Sequence, residues 1–180
     1  MIRRVVAHSE VEPGPLPLGV AVIDASIVVF GLVFPWAAHK HRMQMLQHFS
    51  EHLKRQVLSG AGSGGSSGSG GPSSGSGQLT KPESLNVNIY GAVLASLRGM
   101  VDAKASLQGQ DEVKKAFVAI ILGGVTSPLA ILRCVTAECL GRLAQVVSDP
   151  QFFATMAQSA FDSLKSARDA TSRTGNRSGH

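Results

Sequence analysis

Cys134 and Cys139 stand five residues apart inside the apolar run Ile131 to Val147, ILRCVTAECLGRLAQVV. Thiol chemistry needs a thiolate and a base within hydrogen-bond reach. No histidine occurs between His52 and His180, so the run carries no base of its own. On a helix, at about 100° per residue, the two thiols lie about 140° apart around the axis and cannot pair. Cys139 falls in phase with Thr136, Leu140 and Leu143, which predicts a small buried hydrophobe with a raised pKa. Cys134, next to Arg133, is predicted to be more exposed. Two cysteines without a disulfide framework suit a reducing compartment.

His41, His48 and His52 are spaced seven and four apart and share a helical stripe, and an i, i+4 histidine pair can ligate a transition metal. Met45 interrupts that stripe, and Glu51 falls about 100° from His52 on the helix. Neither an H-E-x-x-H motif nor a cysteine pair completes a shell, so the reading is a solvated basic face with no metal and no cofactor. Glu10 and Glu12 sit in a loop, Asp111 and Glu112 start a helix, and Glu138 and Asp162 stand alone. No two carboxylates are placed to divide acid and base roles, so the expectation is a protein that is not an enzyme. One G-x-G-x-x-G match, at Gly60, Gly62 and Gly65, lacks the strand before it and the helix after it that phosphate binding requires.

The formal charge of +5 is compatible with an acidic partner, but the basic residues are scattered rather than gathered. Arg3 and Arg4, Lys40 and Arg42, Lys54 and Arg55, and Lys165 with Arg168 lie apart, with no aromatic residues alternating among them. A nucleic-acid platform is therefore not expected. Leu18 to Phe34 is the most membrane-like stretch, but it carries Asp24 and no small-residue cleavage site follows. It reads as a buried core helix of a cytosolic protein, with no transmembrane segment. The sequon Asn176-Arg177-Ser178 then has no glycosylation consequence.

Hydrophobic side chains make up 43% of the 180 residues and aromatic ones 5%, which favours a single all-α unit. An opening loop over 1–17 ends in EPGPLPLG. A first helical hairpin over 18–58 follows, with Val22, Ile23, Ser26, Ile27, Phe30 and Phe34 in one stripe and Pro35 as its stop. Its second helix, from Trp36 to about Leu58, turns Met43, Leu46, Phe49, Leu53 and Val57 inward, with Lys40, Arg42, Lys54 and Arg55 on its polar edge. Residues 59–82 hold the Gly/Ser tract and read as a flexible tether. Helices three to six fill 83–172. The third starts at Pro82-Glu83-Ser84, and the fourth at Gln110 or Asp111 with Val113, Phe117, Ile120 and Ile121 inward. Thr126-Ser127-Pro128 gives the fifth an N-cap and an N1 proline, and SDPQFF repeats the device for the sixth. Residues 173–180 read as a truncated tail.

Consecutive short-linked pairs spaced roughly 40 to 45 residues apart match the period of HEAT repeats. The predicted fold is thus an all-α stack of antiparallel helix pairs, a HEAT/armadillo-like α-solenoid segment. Within the fifth helix, LRCVTAECLG resembles the second-helix signature of HEAT repeats through Leu132, Arg133, Thr136, Ala137, Cys139, Leu140, Gly141 and Leu143. In that family the arginine supports the turn, which implies a structural role for Arg133. Together with VIDASIVVFGLVFP, KHRMQMLQHF and AFDSLKSARDATSRTG, the run resembles the HEAT-repeat-containing protein 5 family across most of residues 18 to 175.

That resemblance implies a segment of a large non-enzymatic scaffold in vesicle traffic, covering endocytosis and endosome-to-Golgi retrograde transport. It further implies, as partners, the clathrin adaptor complex of the trans-Golgi network and accessory proteins of the aftiphilin and gamma-synergin type. The implied location is cytoplasmic, peripheral at the trans-Golgi network and endocytic vesicles. The alternatives are a HEAT scaffold of another pathway, such as nuclear transport or phosphatase assembly, or a peripheral membrane-binding helical module.

Overall fold

The computed structural model describes residues 18–61 and 80–175, and every element among them is helical. In chain order these are α1 (Leu18–Val33), a single 3-10 turn (Phe34–Trp36), α2 (His39–Ala61), α3 (Lys81–Asp102), α4 (Asp111–Val125), α5 (Ala130–Val147) and α6 (Pro150–Gly175). The loop read over 1–17 lies outside the described residues. So do 62–79, the body of the tether; its edges are helical, with α2 running through Ala61 and α3 starting at Lys81. Of the tail, 173–175 complete α6.

Local chemistry sets several of these boundaries. Thr80 caps α3 in a reciprocal capping box: its hydroxyl accepts from the Glu83 N–H, and the Glu83 carboxylate accepts from the Thr80 N–H at 2.8 Å. These bonds hold the Glu83 carboxyl below the usual carboxylate range. The expected N1 proline of α5 is displaced: Pro128 lies in the bend before the helix, whose N-cap is Leu129. Ser127 accepts from the Leu129 N–H at 3.2 Å instead. At α6 the Asp149 carboxylate accepts from the N–H groups of Gln151 and Phe152, at 2.9 and 3.3 Å.

Packing runs between alternate helices. α1 lies on α3 and α3 on α5, while α2 lies on α4 and α4 on α6; α4 also packs on α5. The α1–α3 seam is the tightest. A Cβ built on Gly31 would sit 2.7 Å from the Ala95 carbonyl oxygen, and one on Gly99 would sit 2.0 Å from the Gly31 carbonyl oxygen. Ile27 meets Gly91 and Pro35 meets Gly99, so positions rise together along both helices and the two run parallel. Gly91, Ala95 and Gly99, four apart, form the smooth stripe that permits this approach.

Phe34, Leu46, Leu94, Leu97, Phe117 and Leu143 are buried at the centre, with the rings of Phe34 and Phe117 edge to face at 5.7 Å. Val113, Phe117, Ile120 and Ile121 are all buried, as the period of the fourth helix predicts. Leu107 is buried too, although it lies in the loop before α4.

The expected burial of α1 is corrected. Only 17% of the window Gly19–Trp36 is covered, and Val22, Ile23 and Ser26 of the predicted inward stripe are exposed. Among the described residues α1 is the outermost helix of its row, and only the side carrying Ile27, Phe30 and Gly31 meets α3 or α2. α1 and α2 meet through the Phe30 and Phe49 rings at 5.4 Å.

Arg42, read as a polar-edge residue, is 8% exposed. Its guanidinium donates to the Phe34 carbonyl at 3.3 Å, to the Pro35 carbonyl, and to Gln110 Oε1 at 3.1 Å, and lies 5.9 Å from the Phe34 ring centroid. It thereby satisfies the carbonyls left where α1 stops and ties that stop to the start of α4.

Candidate functional site

The predicted signature on α5 divides between two environments. Leu132, Thr136, Cys139 and Leu143 are buried toward α3 and α4, whereas Arg133, Ala137 and Gly141 are exposed and Leu140 is half-buried. Val146 joins the inner side although the signature does not include it.

On the inner side three helices meet at Gly124 of α4. A Cβ there would fall 2.4 Å from the Thr136 Cγ2 and 2.7 Å from the Tyr90 Cζ, so only glycine lets α3, α4 and α5 converge. Thr136 donates its hydroxyl to the Leu132 carbonyl at 2.9 Å, which leaves the methyl to face Gly124. Tyr90 donates to the Ile120 carbonyl at 2.9 Å. Burial pushes the Tyr90 phenol up to about 12, with the neighbouring Cys139 adding to it. Burial likewise pushes the Cys139 thiol up to about 12, with the Glu138 charge adding to it. Both groups therefore keep their hydrogens at neutral pH. Cys134 is the exposed thiol.

Glu138, read as standing alone, is corrected: it binds Arg98 of α3, whose Nε donates to it at 3.1 Å. Arg142 of α5 lies 3.7 Å from the same carboxylate. The pair reaches between helices, which periodicity along one helix does not show. Arg133 donates from Nη1 to the carbonyls of Ser127 and Pro128, at 2.8 and 2.9 Å, and so holds the turn between α4 and α5. No group of three His, Cys, Asp or Glu residues able to hold a metal occurs among the described residues. His41, His48 and His52 are exposed along α2.

On the outer side, Ala137, Leu140 and Gly141 of α5 face Phe153, Ala157 and Phe161 of α6 across an apolar groove of about 460 Å³, with Arg133 lining it. Phe153, Phe161 and Leu164 are 46%, 67% and 43% exposed. Phe152 is the ring of α6 that packs against the core. At the other end of the molecule, Val22, Ala25, Val29 and Val33 of α1 form an apolar groove with Met45 of α2. The molecule therefore offers apolar surfaces on α1 and on α5–α6, with the Tyr90–Gly124–Thr136 junction buried between them.

No model of a known protein family matches the chain, and no solved structure matches it significantly. By length and composition alone, the window Gly19–Trp36, with a mean hydropathy of 2.0, is apolar enough to cross a membrane.

Proposed function

We propose that this chain is a segment of a non-enzymatic HEAT/armadillo-like scaffold, similar to the HEAT-repeat-containing protein 5 family, that joins protein partners in vesicle traffic. The observation that carries the reading is the alternate packing, α1 on α3 on α5 beside α2 on α4 on α6, which is how stacked helix pairs contact their neighbours. Arg133 supports it by holding the α4–α5 turn, the role that the resemblance implies. The non-enzymatic part is supported by Tyr90 and Cys139, whose reactive atoms are turned into the helix junction.

The traffic assignment rests on the four sequence blocks that resemble the family, and its proposed partners are the trans-Golgi clathrin adaptor complex and its aftiphilin and gamma-synergin-type accessory proteins. Affinity capture with the full chain, quantified by mass spectrometry, tests it. Enrichment of adaptor subunits over a Phe161→Glu control is the expected result. Enrichment of nuclear-transport or phosphatase components in their place moves the scaffold to another pathway. A peripheral membrane module is the second reading, favoured by the exposed aliphatic side of α1; the cationic edge of α2 supports it less, since Arg42 is buried.

A further inference from the structure

α1 and α2 are held by the rest of the chain more than by each other. They meet through the Phe30 and Phe49 rings, whereas α1 lies along α3 and α2 along α4. The close fits of this hairpin point the same way. Gly31 lies against Ala95 and Gly99, the Phe34 ring meets Phe117, Arg42 donates to Gln110 at 3.1 Å, and His39 stands 3.7 Å from Glu112. None of these contacts involves the link between the two parts. Of its eighteen residues, 62 to 79, fifteen are Gly or Ser, and a link of that length reaches at most roughly 60 Å. The same contacts therefore form whether the hairpin on a given α3–α6 body comes from its own copy or from another, and only the link distinguishes the two cases.

From these observations we propose that the side of α3 and α4 that seats the hairpin is a docking surface for the α1–α2 hairpin of a second copy, and that two copies exchange hairpins to form a dimer. The seam selects the occupant. A Cβ on Gly31 would sit 2.7 Å from the Ala95 carbonyl oxygen, so a helix seated there needs glycine opposite Ala95. The hairpin of a second copy brings that glycine, with Pro35 to meet Gly99 and Arg42 to reach Gln110. The exchanged dimer buries what the single chain buries and leaves the outer side of α1 and the α5–α6 groove as they are. Tethering holds each hairpin near its own body at an effective concentration on the order of millimolar, so exchange competes as the protein approaches that concentration. The exchange goes beyond the scaffold reading and is independent of the traffic assignment.

A cross-link between copies tests the proposal. Two full chains with tags of different mass are made with Cys134→Ser, which removes the exposed thiol and leaves the buried Cys139. One also carries His39→Cys and the other Glu112→Cys, at side chains 49% and 77% exposed, where circular dichroism should remain that of the parent. The two are mixed, unfolded in urea, and refolded together at roughly micromolar and at roughly millimolar protein, the second matching the effective concentration of the tethered hairpin. A bis-maleimide that links the two positions within a single chain carrying both substitutions is then added. Refolding at the higher concentration should give a dimer in which position 39 of one copy is joined to position 112 of the other, well in excess of 39–39 and 112–112 links. Refolding at the lower concentration should give monomer without that link. Chains that stay monomeric at both concentrations overturn the proposal. So does a dimer without an excess of 39–112 links, since its copies then associate through another surface, such as the outer side of α1.

Discussion

α1 and α3 are parallel neighbours of opposite fate. α1 is the more apolar of the two, yet most of its surface faces outward, while α3, carrying Ser96, Asn86 and Arg98, buries nine residues. Position in the stack, with a neighbour on one side or on both, decides burial more strongly than hydrophobicity does. α3 also has polar contacts that α1 lacks at its outer surface: Tyr90 to the Ile120 carbonyl and Arg98 to Glu138.

Substitutions that separate the two regions follow, in descending order of effect. Phe117→Ala, in the filled centre, should cost about 3–5 kcal/mol of unfolding free energy, whereas Phe161→Ala on the outer side of α6 should change it by less than about 0.5 kcal/mol. Urea unfolding of the two side by side measures the contrast. Gly99→Leu should cost at least about 1–3 kcal/mol, because the added side chain meets the Gly31 carbonyl rather than a movable side-chain tip. A thermal melt compared with Gly19→Leu, where a Cβ meets nothing within 4 Å, checks it.

Arg42→Met keeps most of the stem but leaves the Phe34 and Pro35 carbonyls without their buried donor, at a cost of about 1–3 kcal/mol. Hydrogen exchange should then rise first at the start of α4, where Gln110 loses its partner.

Alkali should loosen the inner junction specifically. The Cys139 and Tyr90 hydrogens are held in the folded chain to about 12, from ordinary values of 9.0 and 10.0. Above pH 9 the unfolded chain therefore binds fewer protons than the folded one, and stability falls as pH rises. The contribution is fully present below pH 9 and is lost between there and about 12. Urea midpoints measured from pH 8 to 11 should fall less steeply in a Cys139→Ala, Tyr90→Phe chain than in the parent. The smallest effect is a gain: Gly141→Ala, helical, exposed and unopposed, should add about 0.5–1 kcal/mol.

Much of the fold was legible because periodicity reports one-dimensional facts. α4 shows its buried side through Val113, Phe117, Ile120 and Ile121, whereas the capping box Thr80-Lys81-Pro82-Glu83 straddles the end of the segment 59–82 that reads as tether, where the Gly/Ser composition masks it. Which helix lies beside which is a different kind of fact. Gly91, Ala95 and Gly99 are regularly spaced, but on a helix judged by its large apolar residues they register as gaps, and here the gaps are the seam. Arg42 was misplaced for a related reason: its acceptors are backbone carbonyls of another element, and a carbonyl has no letter in the sequence. The two-sided character of the α5 signature was hidden in another way: small residues stand on both sides of the helix, Thr136 and Cys139 on one, Ala137 and Gly141 on the other, and their types do not say which side has a neighbour.

The seam between α1 and α3 also has a timetable. Gly99 follows Gly31 by 68 residues, so at ordinary synthesis rates α1 waits roughly 3 to 14 s for the surface it is shaped to meet. During that interval the most apolar of the described helices has no α3 to cover it, and the glycine that allows a close fit late gives no cover early. The chain's period of greatest exposure to misassociation thus belongs to its making, before Gly99 arrives to close one side of α1.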